Sequence, residues 1–303
     1  MAKNAKLLVQ KMYVVFHSLF KAGNEEITKA IISTIIGEKI DVINLDSDKY
    51  LVKKYTDEKL GILDLKAKLN NGSLCNIEVQ LIDKGNTVQR FLWYWSKIYS
   101  SQLQEGEDYS NLKRCICIII LDYELKDTQG LENIREIKEI QDCHTQWKII
   151  EEKNRKIILT NLLEINIIEI PKALKLFSKM PNDKIIQWMK FLDDPNKAEV
   201  LKIMEDNKDI KKAYKKLEEI SEDKKLRRIA ELREKAILDE RNAVNYGKRQ
   251  GIQEGIEQGI EQGVKKGIEK TKLETAKKMK AEKIDINLIV KVTGLTEDEI
   301  KKL

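Results

Sequence analysis

The sequence predicts an α/β fold, with helices packed on a mixed sheet, followed by a long helical C-terminal extension. Three observations predict it. Residues 60–69 and 74–81 alternate apolar and polar side chains on either side of Asn70-Asn71-Gly72, the pattern of a hairpin with one face on a core. Residues 114–121 form an unbroken apolar run rich in β-branched side chains, the mark of a central strand covered on both faces. Beyond residue 207 Lys and Glu dominate, with Leu217, Ile220, Leu226, Ile229, Leu232 and Ile237 at intervals that suit a long, solvent-exposed amphipathic helix.

The elements follow in order. Residues 9–20 and 25–37 read as helices, the second stopped by Gly37, and 39–45 as a short strand. In the hairpin Leu63, Leu65, Ala67 and Leu69 share one face, with Asp64, Lys66 and Lys68 on the other. Cys75, Ile77, Val79 and Leu81 likewise oppose Asn76, Glu78 and Gln80. Val88, Phe91, Leu92, Trp95, Ile98, Tyr99 and Leu103 recur at helical spacing over 86–104, and Gly106 ends that helix. Residues 163–170, stopped by Pro171, read as one more strand. The predicted organisation is a domain over 1–172, a helical region over 173–246, and a tail over 247–303. In the helical region Phe177, Ile185, Trp188, Met189 and Phe191 suggest a small packed unit.

The tail opens on a true repeat. Glycine recurs every fourth residue from Gly247 to Gly267, and Ile252, Ile256, Ile260, Val264 and Ile268 follow the last five. Each glycine costs a helix about 1 kcal/mol, so six of them argue against a free-standing one. Two readings stay open: a self-association helix over 247–268, possessing a close-approach face and the right-handed winding that a period above 3.6 favours, or a charged linker. From Asp285 a two-helix signal follows: Asp285 and Gly294 bracket the first helix, and Thr296 with Glu299 forms a capping box for the second. This is half of a helix-turn-helix, or a small tail that packs on a partner copy.

Composition narrows the function classes. The chain is 303 residues long, 42% hydrophobic and 35% charged, so a real core coexists with long charged stretches. A net charge of +6 is compatible with nucleic acid without demanding it. The longest apolar run, 115–121, is far short of the ~20 residues of a membrane helix, and the N-terminus carries no signal-peptide signature. Four scattered cysteines make neither a disulfide framework nor, with Cys143 beside His144, a zinc site. The expectation is a soluble, cytoplasmic protein with no membrane contact.

The chemistry concentrates in the hairpin. Apolar residues of both strands must share a face, so antiparallel partners must have residue numbers of even sum. Two registers satisfy this: one sets Asp64 directly across from Glu78, the other across from Gln80. Either way both carboxylates face one point. Side-by-side carboxylates repel unless a cation lies between them, and their hard oxygens suit Mg²⁺ or Mn²⁺. Gln80 can orient a water but brings no positive charge; Lys66 and Lys97 are candidates to bring it. The competing reading is an ordinary hairpin with charges on its wet face.

Three blocks carry a family resemblance. Residues 59–64 (Lys-Leu-Gly-Ile-Leu-Asp), 76–81 (Asn-Ile-Glu-Val-Gln-Leu) and 90–103, from Arg90-Phe91-Leu92-Trp93 to Gln102-Leu103, resemble the Rpn family of recombination-promoting nucleases, also called PD-(D/E)XK nuclease family transposases. Gly106-Glu107-Asp108-Tyr109, Leu163-Glu164-Ile165, the glycine repeat and Thr293-Gly294-Leu295-Thr296 extend the likeness over nearly the whole chain. The resemblance implies a restriction-endonuclease-like αβββαβ core and metal-dependent DNA endonucleolysis linked to recombination or mobile elements. It implies Asp64 and Glu78 as metal ligands, with Gln80 where many such enzymes have lysine. One departure stands out: Met12-Tyr13-Val14-Val15-Phe16-His17 lacks the acid and the lysine that members often carry near the N-terminus; Glu25 or Glu26, on the next helix, are candidates to substitute.

Other residues have two readings each. Arg90 and Lys97 can meet a DNA phosphate or simply line a solvated helix face. Trp93 can stack on a base, whereas Trp95 falls on the apolar face. His17 can act as a base or pack beside Phe16 and Phe20. The Lys-rich stretch 208–233 alternates with acids, which suits a solvated helix better than a DNA-binding stripe. Against the enzyme stand two alternatives: a nuclease-like fold that binds DNA or protein without cutting, and an interaction protein acting through the glycine-repeat helix. The intact trio Asp64, Glu78 and Gln80 favours the enzyme.

Overall fold

The structure, a computed structural model, describes residues 6–21, 23–41, 43–45, 65–125 and 140–303. Helices α1 (Tyr13–Phe20) and α2 (Glu25–Ile36) precede strands β1 (Ile43–Leu45), β2 (Leu65–Leu69) and β3 (Leu74–Gln80). Helix α3 (Thr87–Ser100) leads to β4 (Cys115–Leu121), β5 (His144–Trp147) and β6 (Leu163–Glu169). Then come α4 (Ile170–Leu176), α5 (Lys184–Asp193), α6 (Ala198–Asp206), α7 (Lys208–Glu222), α8 (Lys224–Ala281), α9 (Ile286–Thr293) and α10 (Glu297–Lys302). The chain divides into two compact units, Met1–Ile237 and Leu238–Leu303.

The first unit is built on a six-stranded sheet of order β1-β2-β3-β4-β6-β5 among the described residues. β1, β2 and β3 run antiparallel in turn, β3, β4 and β6 run parallel, and β5 is antiparallel to β6. The sheet is therefore mixed, as the sequence predicts. Every residue of β4 is buried. Ile116, Ile118 and Ile120 face a core made with α1, α2 and α5, while Cys117, Ile119 and Leu121 face Phe91 of α3. This two-sided cover is why the run lacks alternation.

Several boundaries differ from the sequence reading for local reasons. Residues 9–12 precede α1 rather than belonging to it. β5 has no counterpart in the sequence reading, because four residues of mixed polarity at a sheet edge carry no periodic signal. Pro171 stands in the first turn of α4, where its missing N–H is no loss. On α3 the buried residues are Thr87, Phe91, Tyr94 and Ile98, and Leu92 is 43% exposed. Trp188, Met189 and Phe191 join the core under β4 instead of forming a packed unit of their own, and the Trp188 ring lies 6.4 Å from that of Phe20. The long charged stretch is two helices, broken at Asp223, whose carboxylate accepts the Lys225 and Leu226 amides.

In the second unit the glycine repeat is helical throughout, within α8. Ile252, Ile256, Ile260, Val264 and Ile268 are all more than half exposed. No atom outside the helix stands within 4 Å of where a Cβ would sit on the repeat glycines. The closing caps form as the sequence predicts. Asp285 accepts the Asn287 amide, Gly294 takes a left-handed φ of 69°, and Thr296 and Glu299 make the reciprocal capping box. Ala276, Ile289 and Ile300 bury one another beneath these turns, so the tail packs on the end of its own long helix. The first turn of α10 is Glu297-Asp298-Glu299, which repels a phosphate backbone. Among the described residues no helix is long and apolar enough to cross a membrane.

Candidate active site

β3 sets Asn76, Glu78 and Gln80 in a row on the face that α3 covers, because Ile77 and Val79 between them face the other core. The turn that feeds β3 depends on Gly72, whose φ of 81° is open to glycine at no steric cost. β2 pairs Leu65 with Ile77 and Lys66 with Asn76, the first of the two registers that the alternation allows. Asp64 itself lies outside the described residues.

This face of β3 is dry. Glu78 is 1% exposed and Asn76 2%, so the reading of a charged hairpin face in water does not describe β3. A carboxylate so buried costs several kcal/mol unless it is paired. Glu78 Oε1 accepts a hydrogen bond from Gln80 Nε2 at 2.7 Å and lies 3.3 Å from Arg90 Nη2. Arg90 flanks the buried stripe of α3, one turn before Tyr94, and its guanidinium sits over the Tyr94 ring at 5.6 Å. Among the described residues a cation that stands beside Glu78 is Arg90, for which the sequence left open a DNA phosphate or a solvated helix face. The Asn76 Oδ1 is buried and makes no hydrogen bond.

The loop after β3 and the end of β4 form the rest of the wall. Asp83 accepts the Gly85 amide at 2.8 Å, and the Thr87 and Tyr123 hydroxyls lie 2.7 Å apart. Burial pushes the Tyr123 hydroxyl well above the ordinary phenol range, against the opposing effect of its Thr87 hydrogen bond, so it stays protonated at neutral pH. Asp122 donates its amide to the Gln80 carbonyl, and its carboxylate pairs with Lys11 at 2.9 Å. Sequence reasoning missed Asn76, Thr87 and Tyr123. Alternation placed Asn76 on the right face, but nothing local signals that the face is covered.

The remaining candidates lie elsewhere or stay peripheral. Lys66 is half-buried on β2 opposite Asn76. Lys97 is exposed in the last turn of α3, its Nζ 5.5 Å from the Trp93 ring centroid, and Trp93 is 56% exposed. Trp95 is half-buried and donates its Nε1–H to the Cys115 carbonyl. Glu25 and Glu26 start α2, whose apolar side packs on the opposite face of the sheet; Glu25 accepts the Gly23 amide and Glu26 pairs with Lys29. They do not stand in for the missing N-terminal acid. His17 packs on Tyr13 in α1.

A second buried carboxylate serves the fold. Glu164, 2% exposed on β6, is held by Arg114, Gln146 and Asn166, and Arg114 also reaches Glu38. Burial alone would raise its pKa; the hydrogen bonds from Asn166 and Arg114 outweigh that and keep it below the ordinary carboxylate range. The stability from this lowered pKa is present above about pH 4.5, the ordinary glutamate range, and is lost as pH falls through the lowered value.

The order of elements and the mixed sheet define an α/β protein with a buried Glu-x-Gln on the second strand of its hairpin. The family model described as PD-(D/E)XK nuclease family transposase matches residues 10–247, and the chain belongs to that family. No curated protein and no solved structure matches the chain. Family membership supports a nuclease- or transposase-related function, and PD-(D/E)XK nucleases generally use divalent metals. Among the described residues no three His, Cys, Asp or Glu side chains gather as a metal site.

Proposed function

We propose that the chain is a Mg²⁺- or Mn²⁺-dependent DNA endonuclease linked to recombination or mobile elements. Asp64 and Glu78 are its metal ligands and Gln80 is the third site residue. The observation that carries this reading is the buried Glu78 carboxylate, clamped on one oxygen by Gln80 and Arg90. The β2–β3 register supports it too, since one further pair in the same ladder would set residue 64 across from Glu78.

The residues fit a hard cation. Glu78 offers a carboxylate, and Asn76 Oδ1 is a buried oxygen that makes no hydrogen bond, on the same face two residues away. All-oxygen donor sets of this kind suit Mg²⁺ or Mn²⁺. When bound, such an ion lowers the pKa of a water and polarises a phosphoryl oxygen.

The chain's own residues supply the rest. The Gln80 amide fixes the Glu78 carboxylate by donating to Oε1, which leaves its carbonyl oxygen to orient a water. Arg90 offsets the Glu78 charge and, being 25% exposed, also reaches the side from which a phosphate would arrive. The Tyr123 hydroxyl, kept protonated, can donate but not act as a base. Helix α3 keeps bulk water from Glu78, which strengthens every charge interaction there.

The test is conversion of supercoiled plasmid by the purified chain. Nicking with Mg²⁺ or Mn²⁺ that stops with EDTA is expected; no cutting under either ion sinks the enzyme reading. The reading includes self-association through 247–268, supported by the open glycines and the exposed Ile stripe. Sedimentation of a chain ending before Gly247 should show a smaller oligomer than the full chain, and an unchanged state removes this part.

A further inference from the structure

Between β5 and β6 the chain makes a short two-stranded ribbon, held by one isolated antiparallel bridge, that the site does not use. Leu159 donates its amide to the Ile149 carbonyl at 3.0 Å, Glu151 donates to Ile157 at 2.9 Å, and Ile150 pairs with Ile158 between them. The turn closes through the Ile157 amide on the Asn154 carbonyl, and the Glu151 carboxylate accepts the Asn154 amide. This register puts Ile149, Ile157 and Leu159 on one face and Ile150 with Ile158 on the other. All five are exposed, from 40% for Ile149 to 74% for Leu159. An uncovered two-stranded ribbon is marginal in water, and clustered exposed apolar side chains mark a contact surface.

The charges say what covers it. Lys148, Lys153, Arg155 and Lys156 are exposed, and among the described residues none makes an ion pair. The acids in the same stretch are Glu151, engaged by the turn, and Glu152. A second copy of the ribbon would bring the same four cations against these and add like charge. A polyanion with an apolar interior meets both features. A two-stranded ribbon fits a DNA groove, aliphatic side chains wedge between base steps, and lysines release counterions from phosphates.

We infer that the ribbon of residues 148–160 is a duplex-DNA-binding arm, contacting phosphates with Lys153, Arg155 and Lys156 and a groove with its Ile and Leu side chains. This rests on DNA being the substrate of the proposed nuclease, but it is read out by binding alone.

The experiment is fluorescence anisotropy of the full chain with a labelled duplex in EDTA, where nothing is cut, across a salt series. Lys153→Gln/Arg155→Gln/Lys156→Gln should bind at least about tenfold more weakly at low salt and lower the log–log salt slope by about three, one per lost phosphate contact. Ile157→Ser/Leu159→Ser should weaken binding while leaving the slope unchanged. These side chains are exposed, and an unchanged circular dichroism spectrum confirms that the fold is kept. Wild-type affinity and slope in the triple variant overturn the arm. So does a wild-type oligomer that either variant dissolves, which would give the ribbon to a second copy. Wild-type binding through the ribbon without any metal-dependent nicking would leave the arm standing and sink the nuclease.

Discussion

Glu78→Gln is expected to lower plasmid nicking at least about 10²- to 10³-fold, the loss typical of removing one group that stabilises transition-state charge. The substitution keeps the shape of the side chain and the oxygen that Gln80 donates to, so the 2.7 Å hydrogen bond survives. What it removes is the negative charge. The site then has one carboxylate fewer for a divalent ion, and the oxygen 3.3 Å from Arg90 no longer carries a charge. Arg90 is 25% exposed and can turn its charge to water, so the stability lost with the pair should stay well below the about 3–5 kcal/mol of breaking a fully buried one. Activity and stability therefore move independently. Wild-type nicking by Glu78→Gln would show that the buried carboxylate is structural; a nicking loss accompanied by an equal loss of stability would point the same way.

Trp188→Ala is expected to destabilise the chain by about 3–5 kcal/mol, the cost of emptying a fully buried aromatic site. Trp188 is 1% exposed, edge-on to Phe191 at 5.9 Å and 6.4 Å from Phe20. It joins α5 to the helix that begins the domain, so the loss should be felt by the sheet as well as by the helices. Denaturant unfolding followed by circular dichroism should remain one transition, with an earlier midpoint for the first unit. A shift of less than about 1 kcal/mol, or a helical region that melts alone while the sheet persists, would contradict the shared core.

The site was legible in the sequence to the extent that alternation is legible. A strand's period of two placed Asn76, Glu78 and Gln80 together, and the even-register condition admitted the pairing that is observed between Leu65 and Ile77. The unbroken 115–121 run announced a strand covered twice, and the Asp285, Gly294 and Thr296 caps follow from local chemistry alone. What a local pattern does not carry is where a helix comes to rest. Arg90 fell outside the apolar stripe of α3, yet the docking of that helix on the sheet brings it to 3.3 Å from Glu78. β5 escaped because an edge strand of four residues takes its identity from its neighbour β6. The break at Asp223 escaped because apolar spacing continues across it, and only the Asp223 cap marks the new start.

Asp64 is the residue on which the account most depends. The most direct measurement is plasmid nicking by purified Asp64→Ala beside the wild type, with Mg²⁺ or Mn²⁺, at equal protein concentration and equal folded fraction. The account predicts metal-dependent nicking by the wild type and none above background by the variant. Equal cutting by the two proteins would contradict it.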